Sequence, residues 1–254
     1  MMSKQSHEVD YGNWVSRKFI YVPAVLAIIF WGLSFLSLFF LVGTFLFLIP
    51  MAYFIYAYMQ FSPGGGNLQA KIRDLALKQL VWDGDGRLLD IGCGNGALAI
   101  EAAKNYPQTH IVGIDYWGGQ WEYSKESCEK NARIAGVSER ASFQKASAAK
   151  LPFTDEFFDV ALSNFVFHEV QDVKDKRAVI KEALRVIKKD GLFVFQDLFL
   201  WKRIYGETEA LLATIQSWGV QEVNIIDTSQ QKFIPRAMKL PFMVGQIGII
   251  YGRK

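Results

Sequence analysis

The sequence predicts an α/β fold in which a seven-stranded, mostly parallel sheet has helices on both faces, preceded by an α-helical transmembrane hairpin. Residues 68–254 alternate short apolar runs with helical patterns, an order typical of right-handed crossovers in a parallel sheet. Before them, the 43 residues from Phe19 to Phe61 include no Asp, Glu, Lys, Arg or His. A chain of 254 residues is long enough for one catalytic domain and an appendage.

The uncharged stretch fits two membrane crossings. A bilayer core about 30 Å thick needs about 20 helical residues for one crossing. We therefore expect helices over about 20–41 and 44–60, joined by a tight turn near Gly43-Thr44. A single crossing with an interfacial helix, or a buried hairpin of a soluble protein, are the alternatives, and the stretch is too long for a signal peptide.

Basic residues flank the stretch on both sides. Arg17 and Lys18 precede it, Lys71 and Arg73 follow it, and the expected turn has no charge. The positive-inside rule then predicts a two-helix, multi-pass membrane protein whose N-terminus and catalytic domain are cytoplasmic. The expected organisation is an N-terminal segment (1–18), a two-helix membrane anchor (19–61), a flexible linker (62–67) and a catalytic domain (68–254).

Composition excludes several classes of function. The net charge of +3 comes with no basic run or stripe, so no nucleic-acid partner is predicted. The two cysteines, Cys93 and Cys128, form neither a disulfide framework nor a Cys/His cluster, so no metal is predicted. A reducing compartment fits this cysteine content. The sequence does not indicate an oligomeric state.

Strands and helices alternate after the linker. The predicted strands are Arg87–Ile91, His110–Asp115, Ala141–Lys145, Phe158–Ser163, Leu192–Asp197, Glu222–Ile226 and Gln246–Gly252, and the predicted helices are Leu68–Trp82, Ala97–Asn105, Trp121–Ala135, Asp175–Ile187 and Glu207–Trp218.

A glycine-rich turn follows the first predicted strand directly. It comprises Gly92-Cys93-Gly94-Asn95-Gly96, and a helix begins immediately after it. Glycines let a ligand approach the main chain, and open α/β sheets bind ligands at this edge. Asp115 ends the second strand, 21 residues after Gly94, where an acid accepts hydrogen bonds from ribose hydroxyls. This spacing predicts a nucleoside-containing cofactor.

Two cofactors compete for this turn. Gly92, Gly94 and Ala97 fit the dinucleotide fingerprint G-x-G-x-x-G/A loosely. However, Asp90 projects beside the turn, where its carboxylate would repel a pyrophosphate. A carboxylate suits a cofactor that has an ammonium group and no phosphate, and S-adenosylmethionine has both properties.

The run D-I-G-C-G-N-G, Asp90–Gly96, resembles motif I of class I S-adenosylmethionine-dependent methyltransferases. Three further runs match that family in order: KLPF with FFDV (150–160), SNFVFHE (163–169) and EALRVIKKDG (182–191). The resemblance covers about residues 68–200 and is closest in appearance to the ubiquinone/menaquinone C-methyltransferase-like small-molecule group. It implies a Rossmann-like fold, an antiparallel edge formed by the last two strands, and S-adenosyl-L-methionine as cofactor.

The resemblance also implies which residues bind the cofactor. Asp115 takes the place of the ribose-binding acid, and Ser147 stands where the family usually has an acid for the adenine amino group. Aromatic residues after Asp115 either stack on adenine or cap the next helix. The implied cofactor-binding residues are Asp90, Gly92, Cys93, Gly94, Asn95, Gly96, Asp115, Tyr116, Ser147, Ala148 and Asn164.

One candidate catalytic residue lies on the acceptor side. Methyl transfer depends chiefly on proximity and alignment, but a carbon or oxygen nucleophile also needs a base. His168, after the fourth strand, is placed for that role or for binding the acceptor, with a structural role as the alternative. Asp197, at the end of the fifth strand, is a second candidate on the acceptor side.

These observations predict a methyltransferase that acts on a small, lipophilic acceptor at the membrane. A tethered active site would meet a membrane-dissolved acceptor at high effective concentration. The alternatives are a membrane-anchored NAD(P)-dependent oxidoreductase and a non-catalytic S-adenosylmethionine-binding module. The sequence leaves open which acceptor is methylated, and whether on C, N, O or S.

Overall fold

A computed structural model of the chain describes residues 8–118 and 123–254. The chain divides into two compact units. One is the helical unit, Asn13–Ile72, and the other is the sheet unit, which comprises Arg73–Lys254 and the described residues up to Gly12. The chain therefore leaves the sheet unit at Gly12 and re-enters it at Arg73.

Two antiparallel helices, α1 (Lys18–Leu33) and α2 (Phe40–Phe61), form most of the helical unit. They pack through aromatic side chains, with the rings of Phe19 and Phe54 5.0 Å apart. Near the other end of the pair, the rings of Phe30 and Phe47 are 5.5 Å apart. The start of α1 thus contacts the second half of α2, and the end of α1 contacts the first half of α2, as expected for an antiparallel hairpin.

The predicted position of the turn near Gly43-Thr44 is wrong. The turn lies at residues 34–39, where the Ser34 hydroxyl donates to the Trp31 carbonyl (2.6 Å). Gly43 lies inside α2, and a Cβ there would overlap the ring of Phe30. The absence of a side chain at Gly43 therefore permits close packing of α1 against α2, and the chain does not change direction there.

The two helices differ in whether they are long and apolar enough to cross a membrane. With 22 residues and a mean hydropathy of 2.0, α2 is long and apolar enough to cross a bilayer. At 16 residues, α1 is shorter than the roughly 20 that a crossing needs. Among the described helices, α2 alone meets the criterion, so the predicted pair of crossings is not supported.

The sheet unit contains seven strands in the order β3-β2-β1-β4-β5-β7-β6, in which only β7 is antiparallel to its neighbours. The predicted mostly parallel sheet with an antiparallel edge is therefore confirmed. The strands are β1 (Arg87–Ile91), β2 (His110–Asp115), β3 (Ala141–Lys145), β4 (Phe158–Asn164), β5 (Ile187–Asp197), β6 (Glu222–Asp227) and β7 (Gly248–Arg253).

Helices cover the sheet, and most of them begin or end within two residues of the predicted positions. Hydrogen-bonded turns lie between α2 and α3, over the residues predicted to form a linker. The remaining helices are α3 (Leu68–Leu77), α4 (Ala97–Asn105), α5 (Lys125–Ile134), α6 (Arg177–Arg185), α7 (Lys202–Tyr205) and α8 (Thr208–Ser217), with three short 3-10 helices at Phe167–Glu169, Thr228–Gln230 and Arg236–Met238.

Three boundaries depart further from the prediction. Helix α3 ends at Leu77 rather than Trp82. Helix α5 begins at Lys125 because the Ser124 hydroxyl caps it, accepting from the Ser127 amide (3.1 Å), and part of the expected earlier start lies outside the described residues. Strand β5 begins five residues early because the Asp190 amide donates to Lys254 beyond β7, which extends the pairing.

The core lies on both faces of the sheet, following the alternation of side chains along each strand. Leu89 and Ile91 belong to the cluster on one face, and Leu88 and Val160 to the cluster on the other. All four are buried. The central strands are thus buried on both sides, and their carboxyl ends meet at one edge.

Arg185, at the end of α6, fastens the segment between β3 and β4. Its guanidinium donates to the carbonyls of Phe153 (2.9 Å) and Leu151 (3.2 Å). It also pairs with Glu182 (2.8 Å) and Asp155 (2.6 Å). One side chain thus satisfies two main-chain acceptors in the segment that follows Ser147 and Ala148.

We expect Arg185→Met to lower the free energy of unfolding by about 1–3 kcal/mol, because two carbonyls lose charged donors. Arg177→Met, on the same helix, is the matched control, since Arg177 pairs with the exposed Asp175 and its loss should cost less than about 1 kcal/mol. Chemical denaturation of the full chain in detergent micelles measures both. Equal losses would contradict this role of Arg185.

Candidate cofactor and acceptor site

The glycine-rich turn is fastened to the end of β2. The amides of Gly92 and Cys93 both donate to the Ile114 carbonyl, at 2.7 and 2.9 Å. Gly92 and Gly94 have φ values of +74° and +57°, a region that favours glycine. The turn therefore has its shape because glycine occupies these positions, and it lies at the carboxyl edge of the sheet.

Asp115, the last residue of β2, holds the same turn from its other side. Its Oδ2 accepts from the Gly94 amide (2.9 Å), and its Oδ1 accepts from the Trp117 amide (2.8 Å). Burial raises the pKa of Asp115, while the hydrogen bonds from the amides of Trp117 and Gly94 oppose that rise. Each carboxylate oxygen has a second lone pair, so the group retains capacity to accept from a ligand.

Asp90, near the end of β1, caps the helix that follows the turn. Its Oδ2 accepts from the Ala99 amide (2.9 Å), a role that Gly96 before α4 has no side chain to perform. Its Oδ1 is buried and has no hydrogen-bond partner among the described residues. Burial raises the pKa of Asp90 to about 7, the Ala99 hydrogen bond opposes this, and the charge of Asp115 adds to it.

The other residues of the turn are held by α5 and the segment before it. The Asn95 Oδ1 accepts from the Ser124 amide (3.3 Å), and the Cys128 thiol donates to the Gly94 carbonyl (3.0 Å). Burial raises the pKa of Cys93 well above its ordinary value, which disfavours the nucleophilic thiolate form. The buried Cys93 side chain therefore fills space within the turn.

Sequence reasoning missed Asn131, which joins the N-terminal segment to the turn. The Asn131 Oδ1 accepts from the Asp10 amide (3.0 Å), and its Nδ2 donates to the carbonyls of Asp10 (2.8 Å) and Asn95 (3.0 Å). The guanidinium of Arg73 lies over the Tyr11 ring, 5.6 Å from its centroid. Asn131 is buried on the same helix as Cys128 and Ala132. A polar residue among the apolar positions of this predicted helix is the sequence signal that could have identified it.

The residues expected around adenine lie beside the end of β3. Tyr116 is exposed, with the Lys145 ammonium 5.1 Å from its ring centroid. Ala148 is buried, and the Ser147 hydroxyl donates to Asp172 Oδ2 (3.1 Å). Asp172, which sequence reasoning missed, thus brings a carboxylate to the position where the resemblance expects an acid.

The loop after β4 contacts the turn. Val166 packs against Gly92 so closely that a Cβ on Gly92 would overlap the valine side chain. Phe165 has a φ of +61°, an uncommon conformation for a residue with a side chain. At the end of β4, Asn164 lies opposite Gln196 of β5, and its Oδ1 is buried without a partner among the described residues.

His168 and Asp197 are brought together by β4 and β5. His168 Nδ1 lies 2.6 Å from Asp197 Oδ1, and the His168 amide donates to Asp197 Oδ2 (3.2 Å). Burial acts to lower the pKa of His168, but the charge and hydrogen bond of Asp197 outweigh it, so the pKa is raised. The structure therefore joins the two acceptor-side candidates into one pair.

Fold and site together define an α/β domain built to bind a nucleoside-containing cofactor at the carboxyl edge of its sheet. A family model described as a methyltransferase domain matches residues 83–236. The chain belongs to this methyltransferase family. The predicted enzyme class, and S-adenosylmethionine as the cofactor of that class, are thereby confirmed for this domain.

Similar proteins are methyltransferases of small molecules. The ubiquinone/menaquinone biosynthesis C-methyltransferase UbiE of Geotalea uraniireducens is 31% identical over 145 residues, which cover 55% of this chain and 59% of that protein. The 27-O-demethylrifamycin SV methyltransferase of Amycolatopsis mediterranei is 34% identical over 114 residues, 45% of this chain and 39% of that protein. This chain therefore spans only about half the length of the curated relatives that it matches.

A solved structure shares the fold. Geranyl diphosphate C-methyltransferase from Streptomyces coelicolor, in complex with Mg²⁺, geranyl diphosphate and S-adenosyl-L-homocysteine, matches this chain with a TM-score of 0.56. It is 14% identical, and the match covers 74% of this chain and 80% of that one. At this identity the likeness concerns the fold alone.

We expect Gly92→Ala to destabilise the chain and to weaken binding of S-adenosylhomocysteine, because the added methyl would push Val166 away from the turn. Gly136→Ala is the matched control: its φ of +72° is similar, but a Cβ there has open space. The control should lose only the roughly 1 kcal/mol that a left-handed residue costs. Denaturation and calorimetric titration measure both variants, and identical behaviour would show that the Val166 contact is unimportant.

Proposed function

We propose that this chain transfers a methyl group from S-adenosylmethionine to a small acceptor, and that it does so at a membrane. The observation that carries the proposal is the glycine turn held between Ile114 and Asp115 at the carboxyl edge of the sheet. The names of the relatives support a small-molecule acceptor. A methyl donor supplies an electrophilic carbon, and the protein has to bind it, orient it and admit the acceptor.

The residues present fit that donor. Asp115 has acceptor capacity for ribose hydroxyls, since a carboxylate offers about four lone-pair sites and the main-chain amides use only part of them. The buried Asp90 Oδ1 is an acceptor without a partner among the described residues, next to a turn that would meet the ammonium end of the donor. An unpaired buried acceptor is costly, and a donor group on the ligand would remove that cost.

In this proposal, the other residues of the site surround different parts of the two ligands. The main chain of Gly92–Gly96 lines the donor, while Tyr116, Ser147, Ala148 and Asp172 surround the adenine. Asn164 lies on the acceptor side, at the end of β4. We therefore propose that the cofactor binds on the β1 and β2 side of the edge, and the acceptor on the β4 and β5 side.

Exposed apolar side chains support membrane attachment of the helical unit. Phe35, Leu36 and Phe39, in the turn between α1 and α2, are each at least 78% exposed. Burying such surface in lipid is favourable by about 25 cal/mol per Å². We propose that α2 inserts into the bilayer with α1 packed beside it. Both ends of the hairpin, where Arg17 contacts Tyr58, then lie on the cytoplasmic side.

A membrane location also bears on the acceptor. An enzyme held at the bilayer meets acceptors dissolved there at a high local concentration. We therefore propose a lipophilic or amphipathic acceptor. The nicotinamide-dependent alternative has no support from the family match, and the titration below tests it directly.

We expect the full chain in detergent micelles to bind S-adenosylhomocysteine and not NADH. Asp115→Ala should weaken that binding by at least about tenfold, because a charged acceptor of hydrogen bonds is lost. Asp74→Ala, which removes an exposed carboxylate paired with Lys78, is the control and should bind as the unchanged chain does. Isothermal titration calorimetry measures the binding of both ligands to the unchanged chain and of S-adenosylhomocysteine to both variants. A folded protein without affinity for S-adenosylhomocysteine would contradict the proposal.

We expect Ile49→Lys to release part of the protein from membranes, since a cation near the centre of a membrane helix costs about 2.5–3.5 kcal/mol. Ile49 is 71% exposed on α2, and Val81→Lys, at a residue 85% exposed in the sheet unit, is the matched control. Sedimentation after an alkaline carbonate wash measures the membrane-bound fraction. Recovery of the unchanged chain in the soluble fraction would refute membrane insertion.

A further inference from the structure

A cavity of about 290 Å³ lies between two segments at the carboxyl edge of the sheet. One segment is the loop that precedes α6, and the other follows β5 and includes α7. The cavity is lined by Lys174, Lys176, Trp201, Arg203 and Ile204. Three of these five side chains are cationic, and no acid lines the cavity in the part of the chain that the structure describes. The cavity is therefore suited to an anion.

The carboxylates nearest to the cavity in sequence have other partners. Asp175, between the two lysines, pairs with Arg177 (2.8 Å). Glu207, shortly after α7, pairs with Lys202 (2.6 Å). The Asp172 carboxylate accepts from a serine hydroxyl (3.1 Å). The positive charge of the cavity is thus not neutralised through these acids.

The three cations differ in how firmly they are held. Lys176 Nζ donates to the carbonyls of Val170 and Val173, which leaves one of its three N–H donors for a ligand. Lys174 and Arg203 are exposed, and their side chains have no hydrogen bond or ion pair with any residue that the structure describes. One cation is therefore fixed in advance by main-chain acceptors, and two are available to close on a bound group.

The cavity adjoins the side of the edge proposed for the acceptor. The charge of Lys176 is among the causes that act to lower the pKa of His168, so the two side chains are near each other. The Trp201 amide donates to the carbonyl of Leu198 (2.8 Å), the first residue after β5. A group bound between these segments would leave the rest of its molecule close to the ends of β4 and β5.

Building on the proposed function, we infer that this cavity binds a phosphate monoester group of the methyl acceptor. Such a group has a charge of about −1.5 to −2 near pH 7 and three terminal oxygens. The planar guanidinium of Arg203 binds two oxygens side by side, and Lys174 and Lys176 are available to the third. A carboxylate has one charge and two oxygens, so it would leave more of the positive charge unpaired.

The cavity also offers an apolar wall to the remainder of the ligand. Trp201 is 42% exposed, and Ile204 beside it is half-buried. A large aromatic side chain is suited to a boundary between an apolar group and water. A water-soluble phosphate ester and a lipid with a phosphate headgroup share this chemistry. The membrane attachment proposed for the helical unit favours the lipid.

The test uses the full chain in phosphatidylcholine nanodiscs, with S-adenosylhomocysteine added and empty nanodiscs as the blank. Isothermal titration calorimetry compares phenyl phosphate, benzoate and dihexanoyl phosphatidic acid. We expect both phosphates to bind, and benzoate to bind at least about tenfold more weakly, since it makes fewer charged hydrogen bonds. Tighter binding of the phosphatidic acid would identify a lipid as the source of the phosphate, and equal affinities would identify a water-soluble ester.

Arg203→Met should weaken the binding of phenyl phosphate at least about tenfold, because a two-pronged charged donor is lost. Lys202→Met is the matched control. Lys202 is the neighbouring cation on α7, but it pairs with Glu207 and does not line the cavity. It should change the affinity less than about twofold. Both variants should bind S-adenosylhomocysteine as the unchanged chain does, which separates loss of the cavity from loss of the fold.

Nitrogen NMR of histidine-labelled protein tests where the phosphate binds. Phenyl phosphate should shift the ring signals of His168 and leave those of His110 in place, since His110 begins β2 at the amino end of the sheet. The inference would be overturned if neither phosphate binds, if benzoate binds as tightly, if Arg203→Met has no effect, or if the His168 signals stay unchanged. Failure to bind S-adenosylhomocysteine would instead contradict the proposed function itself.

Discussion

The hydrogen bond from the Gly94 amide to the Asp115 carboxylate is the contact on which the cofactor side of the site depends. It fixes the glycine turn after β1 to the end of β2, together with the two amides that share the Ile114 carbonyl. The same carboxylate also orders the chain after β2 through the Trp117 amide. A single acidic side chain thereby shapes the turn, and its remaining lone pairs are available to a ligand.

The acceptor side is tied to that turn through packing rather than charge. Val166 fills the space that a side chain on Gly92 would take, so the loop after β4 and the turn after β1 depend on each other. His168 follows within the same loop, and Asp197 fixes it from β5. The N-terminal segment adds a third support, because Asn131 binds both Asp10 and Asn95. Residues that precede the apolar helices are therefore part of the sheet unit.

Sequence patterns sufficed where local physics decides the structure. The bounds of β1 and β2 were predicted correctly, since apolar runs end there at a glycine turn and an acid. The turn of the helical hairpin was misplaced because, in an uncharged stretch, the fit of Gly43 against Phe30 decides the geometry. Contacts between distant residues were also missed: Asp10 and Asn131 are 121 positions apart, and Asp172 approaches Ser147 from 25 positions away. No local sequence pattern predicts either of these contacts.

Amide hydrogen exchange of the full chain, with and without S-adenosylhomocysteine, tests the central claim most directly. We expect slower exchange at the amides of Gly92–Gly96 and of Trp117 when the ligand is bound, with β6 unchanged. Protection confined to other parts of the sheet unit, with the turn exchanging as fast as before, would contradict the assignment of the cofactor to this turn.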